Sequence, residues 1–412
     1  MTNYTSTLDW MYAQLPMYQR KGAAAYRPGL EAVSLWDNYL GNPHKSYKSI
    51  HVGGTNGKGS TTHIIASVLQ SAGFKTGIYS SPHLLDFRER IKVNGKMISK
   101  SEVVEFIDQH KTYIENHQLS FFEMTVGMAL TYFSMKKVDY AVIEVGLGGR
   151  LDATNIITPV ESVITNIALD HMQFLGTTRI AIAAEKAGII KKGVPVILGE
   201  NDDETKPVFE AKANDVKASI VYALPYNNEW KTDLLGRYQQ QNVATAITAL
   251  TQLKENKITP SIIQKGLTQV IKQTHFMGRW QEVENAPKVV LDVGHNPAGI
   301  KVLVDNLKRL EYSQLHLVMG FVKERDVNSI IELLPKTAKF YLSTPQIDRG
   351  LPLKELKETL KKSSLHLSYF QNIVFAYQDA KLKAEKSDLI LVCGSTFVVS
   401  EILDHLKIIK EE

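Results

Sequence analysis

The chain of 412 residues has a single cysteine, Cys393. No internal disulfide can form, so a reducing, cytoplasmic setting is expected. It also lacks any run of ~18 consecutive apolar residues, which excludes a membrane-spanning helix. The opening stretch "MTNYTSTLDWMYAQL" has no basic region followed by an apolar one, so no secretory signal is read there. An excess of one charge is missing as well: 48 Lys and Arg against 43 Asp and Glu leave a net charge of +5. That charge is spread without the basic tract that marks nucleic-acid binding, so a small anionic substrate fits better. No internal repeat or low-complexity tract is present.

What is there is a hydrophobic fraction of 44%. At this length it predicts two domains with their own cores. Between residues 48 and 200 the short runs "SIHVGG", "KTGIYSS", "YAVIEVG", "SVITNIAL" and "VPVILG" alternate with helical patterns, the rhythm of a largely parallel α/β sheet. From Lys288 the rhythm restarts with "KVVLDVG", "LHLVMGF", "KFYLST", "LHLSYF" and "DLILVCGS", predicting a second, smaller α/β unit. Between them "QTHFMGRWQEVENAP" (273–287) holds Gly278 and Pro287 without either periodicity, as a boundary does.

The stretch from His51 to Thr62, "HVGGTNGKGSTT", ends a strand and opens a helix predicted to stop at Gly73. Gly53, Gly54, Gly57 and Gly59 allow backbone N–H groups to turn around phosphate oxygens at a helix N-terminus, and Lys58 adds a full charge. A bare helix-packing turn has no use for that lysine, so ATP binding is expected. Yet Gly59 stands where a P-loop carries its metal-binding Ser or Thr, and Ser60 comes one place late. Metal ligands are therefore sought at neighbouring strand ends, where ligands of open α/β sheets gather. Ser80 and Ser81, Glu144, and Asp170 with His171 stand there. Glu144 in so apolar a run requires a partner, either a metal or a salt bridge to Arg150 or Lys186. His171 alone reads equally as a ligand or as an ordinary histidine. In "RIAIAAEKAGIIKKG" a helix is predicted in which Lys186 either snorkels to solvent or faces the nucleotide.

Taken in order, "HVGGTNGKGS", "YSSPHLLDFRERI", "FFEMT", "EVGLGGRLDATN", "LDHMQFLG", "AAEKAGIIK", "GRW" and "DVGHNP" resemble the folylpolyglutamate synthase and dihydrofolate synthase proteins of the Mur ligase superfamily. The resemblance implies a P-loop ATPase domain over 1–277 with an N-terminal pterin-side segment, a linker at 278–286, and a Rossmann-like glutamate-binding domain over 287–412. It implies an ATP-dependent ligase joining L-glutamate to dihydropteroate or reduced folates through an acyl phosphate, with the site in the cleft between the domains.

The nucleotide would be held by Gly54, Thr55, Asn56, Gly57, Lys58, Gly59, Ser60, Asn242, Arg279 and Asp292. Two Mg²⁺ ions would be held by Ser81, Glu144, His171 and an N6-carboxylated Lys186, with a monovalent cation such as K⁺ as a further cofactor. Ser81 thus takes over the duty displaced from the P-loop. Substrate contacts would come from Pro82, His83, Phe121, Phe122, His295 and Ser395, and the catalytic set is Lys58, Lys186, Arg279 and His295. The family often has His at Tyr238, and commonly Arg at Ala32 in "PGLEAVS". The resemblance also implies a monomer without nucleic-acid or membrane partners. The alternatives are another Mur-type ligase acting on a cell-wall precursor, a non-catalytic ATP-binding protein, or a nucleoside or shikimate-type kinase. The "SSPHL" and "FFE" segments disfavour the first, and the second α/β unit disfavours the last.

Overall fold

The computed structural model describes residues 3–15, 29–226 and 228–408. Pro28, at the head of "PGLEAVS", lies outside the described residues. Two compact units are formed: one by residues up to Asp233 together with Gln239–Phe276, the other by Leu234–Tyr238 together with Met277–Glu412.

The first unit holds eight strands: β1 (Lys48–Gly53), β2 (Thr76–Tyr79), β3 (Ile91–Val93), β4 (Lys96–Met97), β5 (Tyr140–Glu144), β6 (Glu161–Ile164), β7 (Val196–Leu198) and β8 (Ile220–Tyr222). Their order is β4-β3-β2-β5-β1-β6-β7-β8. The five apolar runs form β1, β2, β5, β6 and β7, all parallel. Strands β3 and β4, which the sequence did not single out, add an antiparallel edge. β1 lies between β5 and β6, so Val52 stands opposite Glu144 and Gly53 opposite Ile164. This is the topological switch point of the sheet, where the loops leaving three adjacent strands face one crevice.

The helix after the glycine loop runs Lys58–Ser71. It is buried nearly all round, because helix Gln239–Gln252 and helix Pro260–Leu267 cover the side that does not face the sheet. Gly266 permits that approach: a Cβ there would lie 2.6 Å from the Val68 Cα.

The second unit holds β9 (Gln281–Asn285), β10 (Lys288–Leu291), β11 (Leu315–Gly320), β12 (Lys339–Ser343), β13 (His366–Tyr369) and β14 (Leu389–Cys393), ordered β13-β12-β11-β14-β10-β9. Five of these are the expected parallel strands. Two expectations are corrected. The stretch 278–286 carries β9, which pairs antiparallel with β10, rather than a linker. Its polar, half-buried residues suit an edge strand and give no apolar alternation. Leu234–Tyr238, expected in the first domain, belongs to the second unit: the Arg237 amide donates to Asn306 Oδ1 (3.0 Å) and the Tyr238 hydroxyl to Asp292 Oδ2 (2.6 Å).

Candidate active site

The glycine loop is shaped by the residue that follows β6 and by helix Gln239–Gln252. Gly54 has φ +137°, and a Cβ there would fall 1.9 Å from Thr165 Oγ1. Gly57, at φ +85°, is the N-cap of helix Lys58–Ser71, and its Cβ would meet Asn242 Oδ1 at 2.3 Å. Both positions are restricted to glycine by conformation and by space. The first intrahelical bond is Thr61 N to Gly57 O, 2.9 Å. The amides of Gly57, Lys58, Gly59 and Ser60 precede it, which is the phosphate-binding end of the helix dipole. Asn242 is nearly buried, and its Nδ2 donates to Gln239 Oε1 (2.8 Å).

Two lysines converge on one carbonyl. Lys58 Nζ donates to the oxygens of Gly54 (3.2 Å) and Thr55 (3.1 Å), and Lys186 Nζ donates to Gly54 O at 2.7 Å. Lys186 is only 4% exposed. The snorkelling alternative is therefore wrong, and the side chain faces the loop. Burial, reinforced by the charge of Lys58, lowers its ammonium to about 7, against partial support from Asp170 and Asp152. The backbone makes this possible. Helix Arg179–Ala187 lies close against the "GLGGR" turn, where the Arg150 amide donates to Glu185 O (2.7 Å) and a Cβ on Gly188 would strike the Arg150 Cα at 2.3 Å. On the outside Arg150 pairs with Glu185 (2.7 Å).

Glu144, at the end of β5 and 4% exposed, accepts from the Ser81 amide through Oε2 (3.1 Å). Its Oε1 lies 3.6 Å from the position a Cβ on Gly59 would take. The place of the missing P-loop hydroxyl thus looks onto Glu144, and Ser81 stands on the other side of that carboxylate. His171 follows β6 in a left-handed conformation (φ +49°), its amide bonded to Asp170 Oδ1 (2.9 Å) and Nε2 3.9 Å from Oδ2.

Among the described residues no group of three or more His, Cys, Asp and Glu converges. That still fits magnesium, which takes one or two carboxylates and completes its shell with water and substrate phosphate. Glu144 with Ser81 is the donor pair that the structure brings together.

The loop carrying Ser81, Pro82 and His83 is organised by Glu89, a residue not singled out from the sequence. Its carboxylate accepts from the amides of Leu84 (2.7 Å), Leu85 (2.8 Å) and Asp86 (2.8 Å). The spacing Asp86-x-x-Glu89 is a capping box and was the available signal. Within this loop Pro82 is exposed, while His83 Nδ1 accepts from Arg90 Nε (2.7 Å). Phe121 is 2% exposed, stacked on Tyr12 (5.7 Å) and edge-on to Phe87 (5.8 Å). It is a core ring rather than a free stacking face. Phe122 is half-buried against Gly146, so of the pair it has the more accessible ring.

In the second unit Asp292 is 3% exposed and accepts from Tyr238 Oη, the Trp280 amide (2.8 Å) and the Gly294 amide (2.8 Å). Burial still raises its carboxyl above the usual range. Its bonds fix the Gly-Arg-Trp segment, in which Arg279 Nη1 donates to Gly278 O (3.2 Å). His295 Nδ1 donates to Val293 O (2.8 Å), which selects the tautomer with its proton on Nδ1. The Ser395 hydroxyl accepts from Phe397 N (3.2 Å) as the N-cap of helix Thr396–His405, so its oxygen has a structural use.

Comparison with known proteins completes the picture. Residues 52–250 match the Mur ligase middle domain and 278–396 the Mur ligase glutamate ligase domain. The chain is 31% identical to the dihydrofolate synthase/folylpolyglutamate synthase of Bacillus subtilis, over 98% of this chain and 100% of that one. A probable bifunctional folylpolyglutamate synthase/dihydropteroate synthase of Haloferax volcanii is 30% identical over 91% of this chain, which spans about half (48%) of that longer protein. The fold superposes on Escherichia coli FolC in complex with DHPP and ADP with a TM-score of 0.88 at 29% identity, covering 99% of this chain and 98% of that one. A bifunctional folylpolyglutamate synthase/dihydrofolate synthase with Mn, AMPPNP and L-glutamate bound gives a TM-score of 0.87 at 28% identity, covering 98% of each chain. With Lys58, Glu144 and Lys186 gathered at the switch point of such a fold, the chain belongs to the folylpolyglutamate synthase/dihydrofolate synthase family of Mur ligases.

Proposed function

We infer that this chain is an ATP-dependent ligase that adds L-glutamate to dihydropteroate, to reduced folates, or to both, releasing ADP and phosphate. The observation that carries the reading is the pairing of Lys58 and Lys186 over Gly54 of the glycine loop, with Glu144 and Ser81 at the next strand end. The full-length match to the Bacillus enzyme and the L-glutamate seen in the superposed structure support it.

A carboxylate resists attack by an amine because it is a poor electrophile with a poor leaving group. Transfer of the γ-phosphoryl group of ATP onto it forms an acyl phosphate and removes both obstacles. Such transfer is driven by positioning and by neutralising charge on the phosphoryl oxygens. Lys58 and the amides of Gly57–Ser60 would orient the triphosphate, and Arg279 would add positive charge. Magnesium held through Ser81, Glu144 and His171 would screen the phosphate charge. We assign Lys186 an N6-carboxylated form, since a buried amine lowered to about 7 is largely neutral under mildly basic conditions and able to combine with CO₂. A monovalent cation is a further candidate in this charged site. Phe122 and His83 would face the pterin-bearing acid.

His295 Nε2 would take the proton of the attacking amine, the tautomer set by Val293 O. Replacing His295 with Ala is expected to lower turnover at saturating glutamate; unchanged turnover refutes the base role. The buried, unpaired Cys393 and the use of ATP fit a reducing, cytoplasmic setting. Phosphate release measured with ATP, L-glutamate and either dihydropteroate or tetrahydrofolate tests the whole reading. No glutamate-dependent release with either acid would refute it.

A further inference from the structure

The first half of the glycine loop is stitched to the segment that leaves β6. Thr55 N donates to Asn166 O (2.9 Å), and Asn56 N donates to Asn166 Oδ1 (2.9 Å). In return the Thr165 hydroxyl donates to Asn56 O (2.6 Å), while the Thr165 amide donates to Gly53 O (2.9 Å). The Thr55 hydroxyl closes the seam, accepting from Ala168 N (3.0 Å) and donating to Ala168 O (3.2 Å). Thr165 is 3% exposed and sits where a Cβ on Gly54 would fall.

The consequence is a division of labour among the loop amides. In a phosphate loop every N–H of the glycine turn is a possible donor to phosphate oxygens. Here those of Thr55 and Asn56 are already committed to Asn166, one to its main chain and one to its side chain. Among the amides from Thr55 onward, phosphate is thus left with those of Gly57 to Ser60, and the peptide planes carrying the Thr55 and Asn56 amides cannot rotate toward it without losing these bonds. We propose that Asn166 and Thr165 are positioning residues of the ATP site that fix which part of the glycine loop reads the phosphates. They touch neither the reacting carboxylate nor the γ-phosphoryl group. They also lie six and five residues before His171, so the same segment positions the loop and carries a candidate metal ligand.

This rests on the inferred ATP-dependent ligase activity, and the test separates the two. Titration calorimetry would measure binding of AMPPNP with magnesium to the full chain and to Asn166→Ala, Thr165→Val and Thr165→Ser, alongside binding of a pterin acid and thermal melting. Loss of one loop-holding hydrogen bond is expected to weaken AMPPNP binding about tenfold in Asn166→Ala and in Thr165→Val. Thr165→Ser keeps the hydroxyl and is expected to bind within about twofold of the parent. Pterin-acid affinity should stay within that same range in all three, a pattern that general loosening of the fold would not give. In steady state the KM for ATP rises while the KM for glutamate holds. If the parent chain binds no AMPPNP, the ligase reading itself fails. If it binds and Asn166→Ala matches it, or Thr165→Ser is as weak as Thr165→Val, the positioning role is overturned. Should Asn166→Ala fail to fold, the Val and Ser pair at Thr165 decides alone.

Discussion

The nitrogen of Lys186 is where a chemical modification can be predicted from the structure with a magnitude. An exposed lysine amine has its ordinary value at 10.5; here burial and the neighbouring Lys58 bring it to about 7. At pH 8 the neutral fraction therefore rises from about 0.3% to about 90%, roughly 300-fold more of the form that reacts with CO₂. A carbamate at this nitrogen should then be detectable by ¹³C NMR after equilibration with labelled bicarbonate. The signal should grow from pH 6 to pH 8 and be missing in Lys186→Arg. Glutamate-dependent phosphate release should fall in buffer stripped of CO₂ and return on adding bicarbonate. The sign also runs to stability. The folded amine lies below its unfolded value, so folding releases a proton between about pH 7 and pH 10.5, and stability from this group declines as pH falls through that window. A bicarbonate-saturated sample at pH 8 with no carbamate signal, together with full activity of Lys186→Arg, would refute the reasoning.

Other substitutions test separate parts of the structure. Glu161 on β6 is 1% exposed, and neither carboxylate oxygen has a hydrogen-bond partner. Burial raises its folded value well above 4.5, so its contribution to stability is lost as pH rises. Glu161→Met is expected to stabilise the chain at pH 8 by about 1–3 kcal/mol in urea titrations; a lower midpoint would count against an uncompensated carboxyl. Gly57→Ala combines a left-handed φ with a 2.3 Å approach to Asn242 and should reduce AMPPNP affinity by about tenfold or more. Unimpaired nucleotide binding would show that this turn is free to move. Tyr238→Phe leaves the buried Asp292 short of one donor and is expected to cost about 1–3 kcal/mol of stability; an unchanged denaturation midpoint would contradict that.

Much of this was legible because the signals were redundant. The strands β1, β2, β5, β6 and β7 are buried apolar runs, and a run of that kind has few other uses in an α/β chain. Lys58 among glycines and Glu144 in "YAVIEVG" were visible because a charge in such surroundings must be explained by a partner. The losses have one cause. β4 and β9 are edge strands with a single neighbour each, and β3, between β2 and β4, is only three residues long, so none carries a legible apolar pattern. The passage of Leu234–Tyr238 into the second unit depends on a tyrosine hydroxyl reaching an aspartate 54 positions away.

Thr165 and Asn166 escaped notice for a related reason. Half of the clamp they make is main chain, and a main-chain donor or acceptor is present at every residue, so residue type does not mark it. The glycine loop advertised its own half of the contact, because Gly54 is required where Thr165 crowds it. The side chains that exploit that opening look like any polar residues after a strand. Gly59 is a different case, with neither a left-handed φ nor a close approach to require it. A hydroxyl at that position would have faced Glu144, which already accepts from the Ser81 amide. Ser81 is the hydroxyl proposed for the metal instead, and packing alone does not demand glycine at 59, because a Cβ there would stand in ordinary contact with the Phe276 ring at 3.5 Å.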